Sequence, residues 1–71
     1  MIDWINEKPT IRDAACEKGV DPAFIMAIRQ TENGGPGIEF GVEPPRKYNY
    51  DDQLRLCVAR VAHRLETFQP T

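Results

Sequence analysis

Apolar positions spaced as on one face of an α-helix are clearest in the last third of the chain. This spacing predicts a helix over about Tyr50 to Phe68 that carries the central seam of the core. Asn49 and Asp52 have the spacing of an N-terminal capping box, which places the start of this helix. The seam consists of Leu54, Cys57, Val58, Val61, Leu65 and Phe68.

A second helix is predicted to begin at Asp21 and Pro22. The Asp21 side chain can accept a hydrogen bond from the first turn, and proline at the first helical position lacks only an amide hydrogen that has no partner there. Asn33 and Gly34 are predicted to end this helix. Its apolar stripe is formed by Phe24, Ile25, Ala27, Ile28 and Thr31.

The first helix is predicted over about Thr10 to Lys18, because Thr10 and Asp13 have capping-box spacing and Gly19 is typical of a left-handed helix stop. Residues 1–9 are expected to be extended or turn-like, since the residue before a proline disfavours the helical conformation. Trp4 in this segment is predicted to cover the core.

Residues 35–48 contain three glycines and three prolines and show no helical pattern. A loop of this length exceeds what a connection needs, and such loops often carry function. The sequence therefore predicts one all-α domain over residues 1–71, a compact bundle of three helices with a long Gly/Pro-rich loop between the second and the third.

Composition argues against some classes of function without excluding them. The net charge is −2 at pH 7 with both signs mixed along the chain, so there is no broad basic surface for nucleic acid or membrane. Cys16 and Cys57 lack the close spacing of a zinc or redox site. They are predicted to be reduced core thiols, with a disulfide between two helices as the alternative.

Glu32 is the candidate for acid chemistry. It lies seven residues after Ile25 and four after Ile28, so the three share a helical face that should point partly inward. Partial burial and the negative end of the helix dipole both disfavour a charged carboxylate. An acid that keeps its proton near neutral pH is what protonation of a leaving-group oxygen requires. The alternative is an ordinary exposed glutamate at a helix end.

The surrounding residues resemble a known family. The run from Val20 to Pro22, the pair Ala27-Ile28 and the run from Thr31 to Gly35 resemble the catalytic segment of lysozyme-like lytic transglycosylases. The stretches from Gly37 to Val42 and from Tyr50 to Leu54 resemble short variants of that domain in phages and prophages. The family's usual glycine-leucine-methionine-glutamine stretch and its later tyrosine-alanine-asparagine motif are absent.

The resemblance covers roughly Ile11 to Leu65 and implies a reduced lysozyme-like fold that cleaves the glycan strand of peptidoglycan. Glu32 would protonate the glycosidic oxygen and then help the sugar's own hydroxyl to close an anhydro ring. No metal or organic cofactor is implied. The start of the chain lacks the features of a secretion signal, so we expect cytoplasmic synthesis with phage- or holin-type delivery to the cell wall.

Four residues are candidates for substrate binding. Phe40, Tyr48 and Tyr50 could stack on sugar rings, and Asn33 could hydrogen-bond a substrate group. The structural alternatives are that Phe40 anchors the loop and that the two tyrosines cap the third helix. Glu39 as the second carboxylate of a two-acid glycosidase is a weaker hypothesis.

Two other classes of function compete with the enzyme. Ala15, Gly19 and Ile25 have the spacing of a helix-turn-helix. That motif would expose Arg29, Gln30 and Asn33 to DNA, although the acidic net charge opposes this. An inert phage or prophage structural or interaction module could also keep the fold and lose the activity. Its partners would be phage structural proteins, and a homo-oligomer could complete the cleft of an active form.

The last helix also carries three arginines. They could bind an acidic partner, but they are predicted to balance nearby carboxylates as a solvated face. The arginines are Arg55, Arg60 and Arg64, and the carboxylates are Asp51, Asp52 and Glu66.

Overall fold

The computed structural model describes residues 2–32, 39–42 and 48–67. Within these ranges the protein is compact and all-helical, with no strand, as predicted. The helices are α1 (Trp4–Glu17), α2 (Pro22–Glu32) and α3 (Tyr50–Thr67), and α1 packs against both of the others. None of the described helices is long and apolar enough to cross a lipid bilayer. The predicted helix stop at Asn33 and Gly34 and most of the predicted loop lie outside the described residues.

The start of α1 differs from the prediction, because the helix begins at Trp4 and contains Pro9. The carbonyl of Asp3 accepts hydrogen bonds from the amides of Asn6 at 3.2 Å and Glu7 at 2.8 Å, and the Asp3 amide donates to Glu7 Oε2 at 3.2 Å. This first turn therefore forms before the proline, whose missing amide hydrogen costs the helix one bond. Trp4 packs against the core as expected.

The connection from α1 to α2 follows the sequence prediction. Gly19 has a φ of +70°, and the amides of Gly19 and Val20 donate to the carbonyls of Cys16 and Ala15 at 3.1 and 2.9 Å. This is the hydrogen-bond pattern of a Schellman motif, in which glycine supplies the left-handed residue. The next helix starts as predicted, because the Ala23 amide donates to Asp21 Oδ1 at 3.0 Å.

α3 also begins where the sequence places it. The Asp52 amide donates to Asn49 Oδ1 at 2.9 Å, which caps the first turn. The apolar seam is buried at Leu54 and Val58, but Leu65 is 42% exposed at an open groove. The predicted seam therefore leaves the core in the last turns of the helix, and its final residue, Phe68, lies outside the described part of the chain.

The buried core combines all three helices with Val20, from the connection between α1 and α2, and with two residues of the segment between α2 and α3. Cys57 is buried and Cys16 is exposed, and both thiols are free. The prediction of a buried thiol is therefore wrong for Cys16, which lies on the solvent side of α1. The core comprises Ile11, Ala15, Val20, Ile25, Phe40, Val42, Leu54, Cys57 and Val58.

Candidate functional site

Glu7 joins the three helices through a polar cluster that sequence reasoning did not predict. Arg29 on α2 donates from Nε to Glu7 Oε1 at 2.7 Å and from Nη2 to Oε2 at 3.3 Å. The hydroxyl of Tyr50 on α3 donates to Oε1 at 2.7 Å. Only 8% of the Arg29 side chain and 15% of the Glu7 side chain are exposed. The ion pair is therefore largely shielded from solvent screening.

The charges in this cluster stabilise one another. Burial opposes the negative charge of Glu7, but the hydrogen bonds from Arg29 and Tyr50 outweigh it and lower the pKa of the carboxyl group. The hydrogen bond with Glu7 raises the pKa of Arg29 despite burial. The pKa of Tyr50 is raised, mainly by burial and secondly by the hydrogen bond to Glu7. At neutral pH the cluster thus contains a carboxylate, a guanidinium and a neutral phenol.

Phe40 packs against Tyr50 and Arg29 of this cluster. Its ring makes a T-shaped contact with Tyr50, with centroids 5.3 Å apart and planes at 63°, and the Arg29 guanidinium carbon lies 5.9 Å from the ring centroid. Phe40 is only 4% exposed. This placement favours the anchoring role that was the structural alternative for Phe40, and it leaves little of the ring available to a sugar. Tyr50 likewise uses its hydroxyl for Glu7.

Gln53 fixes the same segment through its side-chain amide. Its Oε1 accepts from the Phe40 amide at 3.3 Å, and its Nε2 donates to Glu39 Oε1 at 2.9 Å and to the Tyr48 carbonyl at 3.1 Å. Gln53 is fully buried, so each bond replaces one to water. Its position four residues before the buried Cys57 was the only sequence signal that it faces inward. Glu39 is consequently held by Gln53 rather than solvated alone.

Anchored in this way, the segment brings Gly41 against Glu32. Gly41 has a φ of +66°, and a Cβ atom there would lie 2.7 Å from Glu32 Cδ and 2.8 Å from Oε2. Only glycine allows this approach without displacing the carboxyl group. Glu32 is the last residue of α2 and its side chain is exposed, so the expected partial burial is wrong.

Glu32 opens onto a cavity of about 250 Å³ between α2 and α3. Among the described residues, the Glu32 carboxylate takes part in no ion pair or hydrogen bond. Burial raises the pKa of the Cys57 thiol in the cavity wall, so at neutral pH the thiol is uncharged. The cavity is lined by Ile28, Glu32, Phe40, Val42, Cys57, Arg60, Val61 and Arg64.

Two larger depressions do not include Glu32 in their lining, although the second adjoins the Glu32 cavity through Ile28, Val61 and Arg64. One of about 620 Å³, between α1 and α3, is bordered by charged residues including Asp13, Glu17 and Arg55. The other, of about 410 Å³, is an apolar groove beside Phe24 and Leu65. Neither contains a residue predicted to bind sugar, so size alone does not identify the site.

Tyr48 is half-buried and is absent from the lining of the Glu32 cavity, and Asn33 lies outside the described residues. The helix-turn-helix hypothesis required an exposed Arg29, but this residue is 6% exposed and bound to Glu7. No group of three or more histidine, cysteine or acidic residues in the described ranges could hold a metal ion.

No protein family matches the chain, and no curated protein or solved structure matches it. The proposal for function therefore depends on the arrangement around Glu32.

Proposed function

We propose that the protein cleaves the glycan strand of peptidoglycan with Glu32 as general acid and then general base, on a reduced lysozyme-like fold. One observation carries the proposal: Glu32 ends α2 with its carboxyl group open to a concave cavity that Phe40 also lines. A carboxyl group that no described residue neutralises remains available to a substrate. The same position was singled out by the sequence resemblance.

The reaction needs only this one side chain for its proton transfers. Protonated Glu32 gives its proton to the glycosidic oxygen as the bond from that oxygen to the sugar C1 breaks. The resulting carboxylate then accepts the proton of the sugar's own C6 hydroxyl while that oxygen bonds to C1. The products are a shortened strand and an anhydro-ended sugar, and Glu32 is protonated again.

The contact with Gly41 supports this role. Phe40 and Val42, on either side of Gly41, are buried in the core, and Gln53 binds the Phe40 amide. The backbone beside the Glu32 carboxyl group is therefore held by the interior of the domain. Positioning of this kind matters because a misplacement of about 1 Å can cost on the order of 100-fold in rate.

The size of the cavity defines what it can hold. At about 250 Å³ it is smaller than typical small-molecule pockets, which span about 300–1,000 Å³. It would enclose one part of the strand beside the scissile bond, with the remainder lying along the surface. A second copy of the chain could extend the cleft.

The proposal is tested by incubating the purified protein with peptidoglycan between pH 4 and 8 and analysing the soluble products by mass. We expect anhydro-ended muropeptides from the wild type and none from Glu32→Gln, which keeps the shape of the side chain and loses its titrating proton. Glu17→Gln is the matched control, since Glu17 is an exposed glutamate at the last position of α1. Absence of products across the whole pH range would exclude the enzymatic function.

An inert interaction module of the same fold is the second candidate, and the apolar groove favours it. Phe24 is 52% exposed and Leu65 is 42% exposed at its border. Exposed apolar surface of this kind often marks a binding site. In that case the wild type releases no muropeptide, and Phe24→Ser changes self-association in sedimentation experiments while Glu32→Gln leaves it unaltered.

A further inference from the structure

Two arginines share the cavity with Glu32. Arg60 and Arg64 lie one turn apart on α3, and both line the cavity onto which the Glu32 carboxyl group opens. Both side chains belong to exposed residues, so their guanidinium groups can reach a bound molecule. The cavity thus presents an acid at the end of one helix and two cations on the next.

Neither arginine has an ionic partner within residues 2–32, 39–42 and 48–67. The ion pairs found there join Arg12 to Asp13 and Arg29 to Glu7. The carboxylates of α3 that Arg60 and Arg64 are expected to balance therefore form no close ion pair with them in this part of the chain. Acidic residues outnumber Lys and Arg by 11 to 9 in the full sequence, so a shortage of carboxylates does not explain it.

The charges of Glu32 and Arg60 both affect the Cys57 thiol in the cavity wall. Burial is the main cause of the raised pKa of Cys57, while the positive charge of Arg60 opposes the rise and the negative charge of Glu32 adds to it. The thiol in the cavity wall therefore experiences both charges. A ligand group beside Cys57 would experience the charges of Glu32 and Arg60 as well.

Resting on the proposed function, we propose that Arg60 and Arg64 bind a carboxylate of the substrate strand and so select acidic glycans over neutral ones. Guanidinium groups present paired N–H donors that match the two oxygens of a carboxylate. The peptidoglycan strand carries such a group on every second sugar, either as the free lactyl carboxylate or on the attached stem peptide. Uncharged strands of acetylated glucosamine have none.

A bound carboxylate also resolves an electrostatic conflict in the reaction. Positive charge develops on the sugar ring as the glycosidic bond breaks. Two uncompensated guanidinium groups beside the cavity oppose that development, because like charges repel. An anion held between them removes the opposition, so binding and bond cleavage both favour the acidic strand.

The test measures binding rather than turnover, using the full chain with Glu32→Gln to prevent cleavage. Three ligands of equal length are titrated by calorimetry: an uncharged chito-oligosaccharide, a peptide-free peptidoglycan strand with free lactyl groups, and a strand with stem peptides. Arg60→Gln and Arg64→Gln are compared with Arg55→Gln, the control. Arg55 is an exposed arginine of α3 that borders the depression near Asp13 instead.

We expect each cavity variant to bind a carboxylate-bearing strand about tenfold more weakly, the loss of one charge-assisted hydrogen bond. Arg55→Gln should bind as its parent does, and the chito-oligosaccharide should not discriminate among the proteins. A loss with the peptide-free strand identifies the lactyl group as the ligand, whereas a loss confined to the peptide-bearing strand identifies the stem peptide. Either result supports the proposal.

Unchanged binding in Arg60→Gln and Arg64→Gln, an equal loss in Arg55→Gln, or no binding of any strand would overturn it. The binding experiment can fail independently of the test for peptidoglycan cleavage. Muropeptide release by the wild type together with normal binding in the arginine variants keeps the enzyme and removes the carboxylate site. If the variants show the expected binding pattern but the wild type releases no muropeptide, the carboxylate site is supported and the enzymatic function is excluded.

Discussion

Arg29 Nε lies 2.7 Å from Glu7 Oε1, and this ion pair ties the first turn of α1 to the last turns of α2. Removal of one partner leaves the other buried without compensation. We expect Glu7→Gln to lower the free energy of unfolding by about 2–4 kcal/mol, near the lower end for buried pairs because Glu7 keeps 15% of its side chain exposed. Urea denaturation measures the change.

The control for Glu7→Gln is Asp13→Asn, which removes the pair formed by Arg12 and Asp13. Their side chains are 61% and 77% exposed, so the loss should be within about 1 kcal/mol. Equal effects of the two substitutions would contradict the structural role of Glu7.

Acid should destabilise the wild type through Glu7. Because folding lowers the pKa of this carboxyl group, its contribution is complete above the unfolded-state pKa of about 4.3. The contribution is lost as the pH falls through the lower pKa of the folded state. Urea midpoints between pH 2 and 6 should therefore fall less steeply with acid in Glu7→Gln than in the wild type. Parallel curves would show that Glu7 does not titrate differently on folding.

Alkaline pH should lower the stability of the wild type through ionisation of Tyr50. Folding raises the pKa of this phenol, so its contribution is complete below the unfolded-state pKa of about 10 and is lost as the pH rises towards the folded-state pKa. Tyr50→Phe keeps the ring against Phe40 and removes the ionisable hydroxyl. We expect the variant to lose about 1–2 kcal/mol at pH 7 and to show a flatter decline of stability between pH 9 and 11. A decline as steep as that of the wild type would argue against this assignment.

Gln53→Leu should loosen the segment beside Glu32. The substitution preserves side-chain volume but removes the acceptor of the buried Phe40 amide, at a cost of about 1–3 kcal/mol. Amide exchange at Phe40, measured by NMR, should accelerate more than exchange in the middle of α3. Gln30→Leu, at an exposed position of α2, is the control and should leave Phe40 protected.

Gly41→Ala should separate activity from stability. The new Cβ atom meets Glu32 Cδ at 2.7 Å, and the flexible carboxyl group must move. The positive φ also costs about 1–2 kcal/mol in any non-glycine residue. Gly19→Ala is the matched control, because Gly19 has a φ of +70° with no atom within 4 Å of its added Cβ.

Both glycine variants should therefore lose similar stability in urea, whereas only Gly41→Ala should lose muropeptide release, by on the order of 100-fold. Similar release by the two variants would show that the contact with Gly41 does not position Glu32.

The sequence predicted well those elements whose ends are determined by contacts between residues close together in the chain. Asp21 and Asn49 cap their own helices through hydrogen bonds two and three residues away, so residue type and spacing are sufficient. The start of α1 was missed because Pro9 disfavours a helical residue before it, and because Glu7 has partners on other helices in addition to the Asp3 amide. A pattern within one segment contains no information about Arg29 or Tyr50.

The candidate site was predictable only in part for the same reason. Glu32 was identified from its place at the end of α2 and from the family resemblance. Its exposure and its contact with Gly41 depend on how Phe40 and Gln53 bring residues 39–42 to the core, which no local rule specifies. From the sequence, Arg29 is expected to be exposed, because arginine is seldom buried without a partner such as Glu7.

The three-way contact at Glu7 has a consequence for how the chain folds. Its partners lie 22 and 43 residues away, although small helical proteins usually fold through nearby contacts. Closing such loops loses chain entropy before the ion pair forms, so we expect the pair to form after the helices have met rather than to nucleate folding. We therefore expect the arrangement of Phe40, Tyr50 and the Glu32 cavity to depend on the complete bundle and not on any one helix.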